Sequence, residues 1–260
     1  MKEKILEVVD LCKEYPVKRG ALLPKEIGMV HAVNHVSFTL YQGETLGIIG
    51  ESGCGKTTLI RCIAGFEDYE GEILVDGEKV TKPGIDRIMV FQDFNQLFPW
   101  KTVRKNIEYP LKINGMKDKA EREKIAQEHL ELVGLKDYGN FYPHQLSGGM
   151  KQRVAIAKGL ALNPKIILMD EPFASLDAMT RNKLQEELWK IKEKENATVI
   201  FITHNIQEAL VLGTRIMLLS KEGKIKIQMD NNIPKPVTPA SEGYGEMWKL
   251  FNDALWEEDR

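Results

Sequence analysis
Short apolar runs rich in Val and Ile alternate along the chain with longer stretches in which apolar residues recur at helical spacing. That alternation is the mark of a mostly parallel sheet wrapped by helices. A strand buried on both faces needs a continuous apolar run, whereas a covering helix needs only one apolar stripe. Strands are predicted over residues 36–41, 45–49, 72–75, 87–91, 165–169, 198–203 and 215–220. Between residues 98 and 163 no such run occurs. Within it, residues 119–133 place Ile125, Ala126, His129, Leu132 and Val133 on one helical stripe, so the stretch reads as a helical subdomain inserted between strands.

Two regions interrupt the pattern. Residues 17–30 form a basic insertion punctuated by Gly and Pro, expected as a surface loop or hairpin between an early strand and Val36. From Met229 the chain changes character: Pro234, Pro236 and Pro239 mark an irregular connection, after which Met247, Phe251, Ala254 and Leu255 fall at helical spacing. The expected organisation is a main domain over residues 1–228, with a helical subdomain at about 93–160, and a short tail over 229–260 carrying one helix. No internal repeat is apparent.

Composition narrows the classes. Of 260 residues 43% are hydrophobic and 28% charged, enough for a sizeable core, which excludes a disordered or collagen-like chain. Thirty-six basic against 38 acidic side chains leave a net charge of −2, giving no electrostatic reason to expect nucleic acid or anionic lipid as the main partner. Cys12, Cys54 and Cys62 sit at no metal-ligand spacing and are too few for a disulfide scaffold, so a reducing compartment is expected. No apolar run suffices to span a bilayer; a soluble chain, or one held to a membrane by another chain, is expected.

The chemistry begins at Gly50, Glu51, Ser52, Gly53, Cys54, Gly55, Lys56 and Thr57, which satisfy G-x-x-x-x-G-K-[ST] between an apolar strand and a helical segment starting with Thr57 and Thr58. The glycines let backbone N–H groups close around phosphate, and the helix N-terminus adds the positive end of its dipole. Lys56 is expected to reach the β- and γ-phosphates, and Thr57 to hold Mg²⁺.

In an open α/β sheet the ligand lies beyond the carboxyl ends of the strands. Three runs end in polar residues there: RIMVFQ at Gln92, KIILMDEP at Asp170 and Glu171, TVIFITH at His204. Singly each has a plain reading, as strand terminator, helix start or cap. Together with the phosphate loop they suit hydrolysis: Asp170 for Mg²⁺, Glu171 to align the attacking water, His204 to bond the γ-phosphate or that water, and Gln92 to connect metal or water with the helical subdomain. A second anion site is expected where Ser147, Gly148 and Gly149 open a helical segment. Two phosphate sites raise the possibility of a composite site across a dimer.

GESGCGKTT, the glutamine of FQDF, LSGGMKQR, ILMDEP, the ASLD of residues 174–177 and the histidine of FITH occur in an order and spacing that resemble the ATP-binding cassette (ABC) ATPases, over about residues 6–220. The resemblance implies an α/β P-loop NTPase with a RecA-like mixed sheet, an antiparallel β subdomain and the inserted α-helical subdomain. It implies ATP and Mg²⁺, and a head-to-tail homodimer in which the phosphate loop of one subunit faces Ser147, Gly148 and Gly149 of the other. Asp177 would communicate between the two sites, or else only cap the helix bearing Leu184, Leu188 and Ile191. Tyr15 would match the aromatic that stacks on adenine.

The short interval between Thr57 and Ser147 leaves no room for the coiled-coil insert of DNA-repair ABC proteins, and a single cassette without a membrane segment is similar to the separate ATPase subunit of an importer. LFPWKTVRKNIEYPL and FITHNIQEALVL resemble the nitrate, sulfonate, taurine and bicarbonate group; the 17–30 insertion is more like oligopeptide-importer ATPases, and Gly213 departs from a usual acidic residue. The resemblance therefore implies a chain at the cytoplasmic membrane face, bound to integral permease subunits and served indirectly by a solute-binding protein. Phe98, Pro99 and Trp100 are candidates for permease contact, or else pack within the subdomain. The rival classes are a peptide importer, a soluble P-loop kinase or GTPase, and a nucleic-acid-associated ABC ATPase.

Overall fold
The computed structural model describes residues 3–19, 25–92, 96–174 and 176–256. In chain order the elements are β1 (Lys4–Arg19), β2 (Lys25–Tyr41), β3 (Thr45–Ile49), α1 (Lys56–Ala64), β4 (Glu70–Val75), β5 (Glu78–Lys79) and β6 (Arg87–Val90). Then come α2 (Val103–Ile113), α3 (Lys119–Leu132), α4 (Gly148–Leu160), β7 (Ile166–Asp170), α5 (Ala178–Glu195) and β8 (Thr198–Thr203). The chain closes with α6 (Ile206–Leu212), β9 (Arg215–Leu219), β10 (Ile225–Asp230) and α7 (Tyr244–Trp256). Two compact units result: Met1–Gly84 with Ile200–Arg260, and Ile85–Val199.

The first unit holds an antiparallel sheet in the order β2-β1-β4-β5 and the strands β10-β9-β3-β8, with β3 and β9 parallel. All five residues of β3 are buried, as its unbroken apolar run requires. Gly47 in its middle admits neighbours no side chain would allow: a Cβ there would lie 3.0 Å from Phe201 Cζ and 3.3 Å from Ala209 Cβ. The start of β3 is further fixed by a largely buried pair, with Arg215 Nε 3.1 Å from Glu44 Oε1 and the Tyr41 N–H donating to Glu44 Oε2.

The 17–30 insertion is a continuation of the β1–β2 hairpin: Glu14 pairs with His31, Tyr15 with Val30 and Arg19 with Lys25, while its tip lies outside the described residues. Below these arms Asp10 and His35, both at positive φ, sit at a register shift, joined through His35 Nδ1 and Asp10 Oδ1 at 2.7 Å. Such a bulge breaks strand alternation. Also unanticipated were β10, which runs through the expected tail boundary, and the two-residue β5.

In the second unit β6 and β7 are parallel, Arg87 beside Ile166 through Val90 beside Met169. The described residues between them hold α2, α3, α4 and two short 3₁₀ turns, and no strand. The buried face of α3 is Arg122, Ala126 and Leu130, with Val133 just after; of the expected stripe Ala126 and Val133 are thus buried, while Ile125, His129 and Leu132 are only half-buried. Arg122 is inside because its guanidinium donates to the carbonyls of Met116 (2.6 Å) and Lys117 (2.8 Å), closing the turn before the helix.

Candidate functional site
The chain leaves β3 at Ile49 and enters α1 at Lys56, and everything between is shaped by backbone approach. Gly50 lies against the loop's own thiol: a Cβ there would be 2.5 Å from Cys54 Sγ. Gly55 has φ 90°, and its Cβ would fall 1.7 Å from the Ala32 carbonyl oxygen, so only glycine fits between this loop and β2. Gly53, at φ 84°, faces open space. No side chain caps α1, whose first turn begins where the loop closes. The loop is therefore a concave backbone surface capped by a helix N-terminus, the shape that a polyphosphate fits.

Lys56 is 5% exposed, and its ammonium donates to the carbonyls of Gly50 (2.8 Å) and Glu51 (2.6 Å). It also lies 3.7 Å from Cys54 Sγ. Burial raises the Cys54 thiol, against the lowering effect of Lys56 beside it, so this thiol serves as packing. Thr57 and Thr58 follow half-buried, and Ser52 is exposed. Tyr15 of the hairpin reaches the same region: burial raises its phenol, and a hydrogen bond with Thr58 opposes this. Lys13 lies 5.0 Å from the Tyr15 ring centre and 3.6 Å from Glu67. His204 is exposed immediately after β8. Its neighbours are pinned, since the Thr203 hydroxyl donates to buried Glu208 and accepts from the Asn205 N–H at 3.0 Å, and Asn205 caps α6. The phosphate loop, Tyr15 and His204 thus share the first unit.

The second unit gathers the others. Asp170 ends β7 and is 7% exposed. Glu171 follows at φ 42°, a left-handed conformation rare outside glycine. Strain of this kind costs on the order of 1–3 kcal/mol and concentrates at functional sites. Beyond it Phe173 is fully buried and the Ala174 N–H donates to the Glu171 carbonyl, a tight turn leading to α5. Asp177 caps α5, accepting from the Thr180 N–H at 3.0 Å; this backbone bond lowers its carboxyl below the usual range. Ser147 caps α4, accepting from the Met150 N–H at 3.3 Å, and is followed by half-buried Gly148. Gly149 packs directly on α5, where a Cβ would be 2.6 Å from Thr180 Cγ2. The N-termini of α4 and α5, with their caps Ser147 and Asp177, therefore lie side by side, locked further along by Arg153 and Glu187 at 2.9 Å. Gln92 is exposed just past β6; Asp93 and Phe94 of FQDF, and Ser175, lie outside the described residues.

Sequence reasoning did not single out what surrounds Phe98. Phe98 packs edge-on against Tyr109 and beside Trp100, which is 70% exposed. Next to it a groove of about 500 Å³ is lined by Ile88, Phe91, Gln96, Pro110, Lys158 and Leu162. Lys158 donates to the Gln96 carbonyl at 2.9 Å and lies 5.2 Å from the Phe98 ring centre, and burial lowers its pKa. No motif marks Lys158 or Ala32, because their roles come from packing on neighbours distant in sequence. No described helix is long and apolar enough to cross a membrane.

A family profile described as ABC transporter matches residues 33–174. The aliphatic sulfonates import ATP-binding protein SsuB of Bacillus cereus is 44% identical over 86% of this chain and 88% of its own length. The nitrate import ATP-binding protein NrtD of a Synechocystis species is 43% identical over 88% and 83%. Among solved structures, the dimeric ATP-binding cassette MJ0796 in a post-hydrolysis state bound to ADP and Pi matches with a TM-score of 0.74 and 34% identity, over 88% of this chain and 99% of that one. The cradle at Gly50–Lys56 and this likeness agree, and the chain is an ATPase of the ABC transporter family.

Proposed function
We propose that the chain is the ATP-hydrolysing subunit of a membrane importer for a small anion of the nitrate or sulfonate kind. The observation that supports the nucleotide part best is the glycine-only approach of Gly55 to Ala32, which gives the loop its concavity. The anion part rests on the importers named above. Gly50 to Thr58 would wrap the phosphates, with Lys56 exchanging its loop carbonyls for phosphate oxygens, and Tyr15 would support the base.

By donor chemistry alone, Thr57 and Asp170 are the residues that would hold a Mg²⁺ ion, since hydroxyl and carboxylate oxygens are the hard donors it prefers. When bound, the ion supplies charge neutralisation on the triphosphate. Glu171 would orient the attacking water and accept its proton, a role that its strained, left-handed backbone position next to Asp170 supports. His204 bonds the γ-phosphate or that water, and Gln92 relays the state of the site toward the helical segment. Ser147, Gly148 and Gly149 would contact the nucleotide held by a second copy, and Asp177 beside them would carry information between the two sites. Exposed Trp100, with Phe98 and Pro99, supplies an anchor for a permease, a large aromatic on a firmly held turn. The chain would then sit at the cytoplasmic membrane face through that permease, with a solute-binding protein choosing the solute.

Affinity purification of tagged Glu171→Gln protein from native membranes with Mg-ATP tests this reading. Recovery of a multi-spanning membrane protein is expected, with uptake of sulfonates and nitrate as the next assay. Recovery of soluble proteins or nucleic acid alone would refute the transport role and leave the nucleotide site standing.

A further inference from the structure
We infer that the C-terminal helix α7 braces the phosphate loop, and that Lys221 and Lys226 are positioning residues which, by tying the last turn of α7 to Glu51, set nucleotide affinity. The inference rests on the nucleotide reading above. The connection is built from short links. The turn after β9 is fixed by the Ser220 N–H donating to the Lys224 carbonyl (2.8 Å) and the Gly223 N–H to the Ser220 carbonyl (3.0 Å). Gly223, at φ 72°, rests on Ala32, where a Cβ would be 2.7 Å from the carbonyl oxygen, and the Asn34 N–H donates to the Gly223 carbonyl at 3.0 Å. The same Ala32 carbonyl backs Gly55, and Gly50 lies against the Leu219 carbonyl on the other side of the loop. Turn, hairpin and phosphate loop are thus one packed knot.

From that turn Lys221 Nζ reaches Glu51 Oε2 at 3.3 Å. From β10 Lys226 Nζ donates to the Ala254 carbonyl at 2.5 Å, a cation on the last turn of α7 where the helix dipole favours it. Glu51, Leu219, Lys221, Lys226, Ala254 and Leu255 close into a seam without room for a water molecule. Of Glu51, which lines this seam, the Oε1 atom is buried with no hydrogen-bond partner among the described residues. A buried, unpartnered carboxylate oxygen is costly. Undocking the end of α7 would hydrate that oxygen and release the side chain of the second loop residue, so the docked helix and the loop geometry share one free energy. Such coupling is reciprocal: α7 holds the loop, and nucleotide on the loop holds α7.

The test uses the full chain with Lys226→Met, Lys221→Met and Lys226→Arg, and reads the ATP KM, kcat and amide exchange over residues 250–256 with and without Mg-ADP. Lys226→Met should raise KM about fivefold or more with kcat within about twofold, the signature of lost uniform binding, and Lys226→Arg should restore it. Mg-ADP should slow exchange at the end of α7 in the wild type and not in Lys226→Met. Lys221→Met changes a side chain that is 40% exposed and carries the same expectation for KM should Lys226→Met fail to fold. Unchanged KM in the folded variants, or no effect of Mg-ADP on α7 in the wild type, would overturn the inference while leaving the nucleotide site intact. A wild type that binds no ATP would overturn both.

Discussion
Asn106 is fully buried in α2, and its side chain holds the turn that presents Trp100. Its Oδ1 accepts from the Phe98 N–H at 2.7 Å, and its Nδ2 donates to the carbonyls of Phe98 (3.2 Å), Lys101 (3.1 Å) and Thr102 (3.0 Å). Two of these carbonyls have a second partner, since the Phe98 carbonyl accepts from the Lys101 N–H and the Thr102 carbonyl from the Asn106 N–H. Asn106→Ala therefore strands one donor, the Phe98 N–H, and one acceptor, the Lys101 carbonyl. At about 1–2 kcal/mol for each unsatisfied group the variant should lose about 2–4 kcal/mol. For a chain of this size that is a fall in Tm of roughly 6–12 °C, read by thermal or urea unfolding at matched protein concentration. Asn106→Asp should be worse at neutral pH, because a carboxylate replaces the donor facing three carbonyls, and should recover toward the Ala variant at about pH 4 as it takes up a proton. A Tm shift of under about 2 °C for Asn106→Ala would refute the view that this side chain supports the turn.

Three further outcomes follow from single contacts. Gly55→Ala, whose Cβ would lie 1.7 Å from a backbone oxygen, should weaken ATP binding at least about 100-fold, whereas Gly53→Ala meets no atom and should lose only about tenfold through positive-φ strain; equal losses by equilibrium titration would contradict the packing argument. Burial lowers the Lys158 pKa, so its folded form sheds a proton before the unfolded chain does. The burial penalty is thus present in full below the lowered value and relieved as pH rises toward the ordinary lysine value of about 10.4, and wild type should gain stability over Lys158→Met as pH is raised toward that value, seen in paired urea titrations. Burial pushes the Cys62 thiol up to about 12 and raises Cys54 as well, while Cys12 is only half-buried. A chromogenic disulfide at pH 8 should consume one thiol quickly, and Cys12→Ser should remove that phase; a fast second thiol would show that α1 opens.

The apolar runs at β3, β7 and β8 could be read directly because both faces of those strands are covered, so nothing interrupts Thr45–Ile49 or Ile166–Asp170. β1 was harder. Its charges fall among apolar residues, and the bulge at Asp10 and His35 shifts the register midway, so no single period runs through Lys4–Arg19. On α3 the inward face was displaced because Arg122 is buried through hydrogen bonds to backbone carbonyls, which an apolar stripe cannot register. The motif residues were legible because phosphate chemistry demands particular residues at fixed spacing. Ala32, Lys158 and Lys221 act through neighbours far along the chain, and nothing local announces them.

Glu171 carries the central chemical claim, and single-turnover hydrolysis of Mg-ATP by the purified wild type and Glu171→Gln measures it most directly. The account predicts that the variant binds ATP as tightly as the wild type and releases phosphate at least about 100-fold more slowly, since a glutamine holds the turn but takes no proton. Phosphate release at the wild-type rate would contradict it, and would assign the water-activating step to another residue.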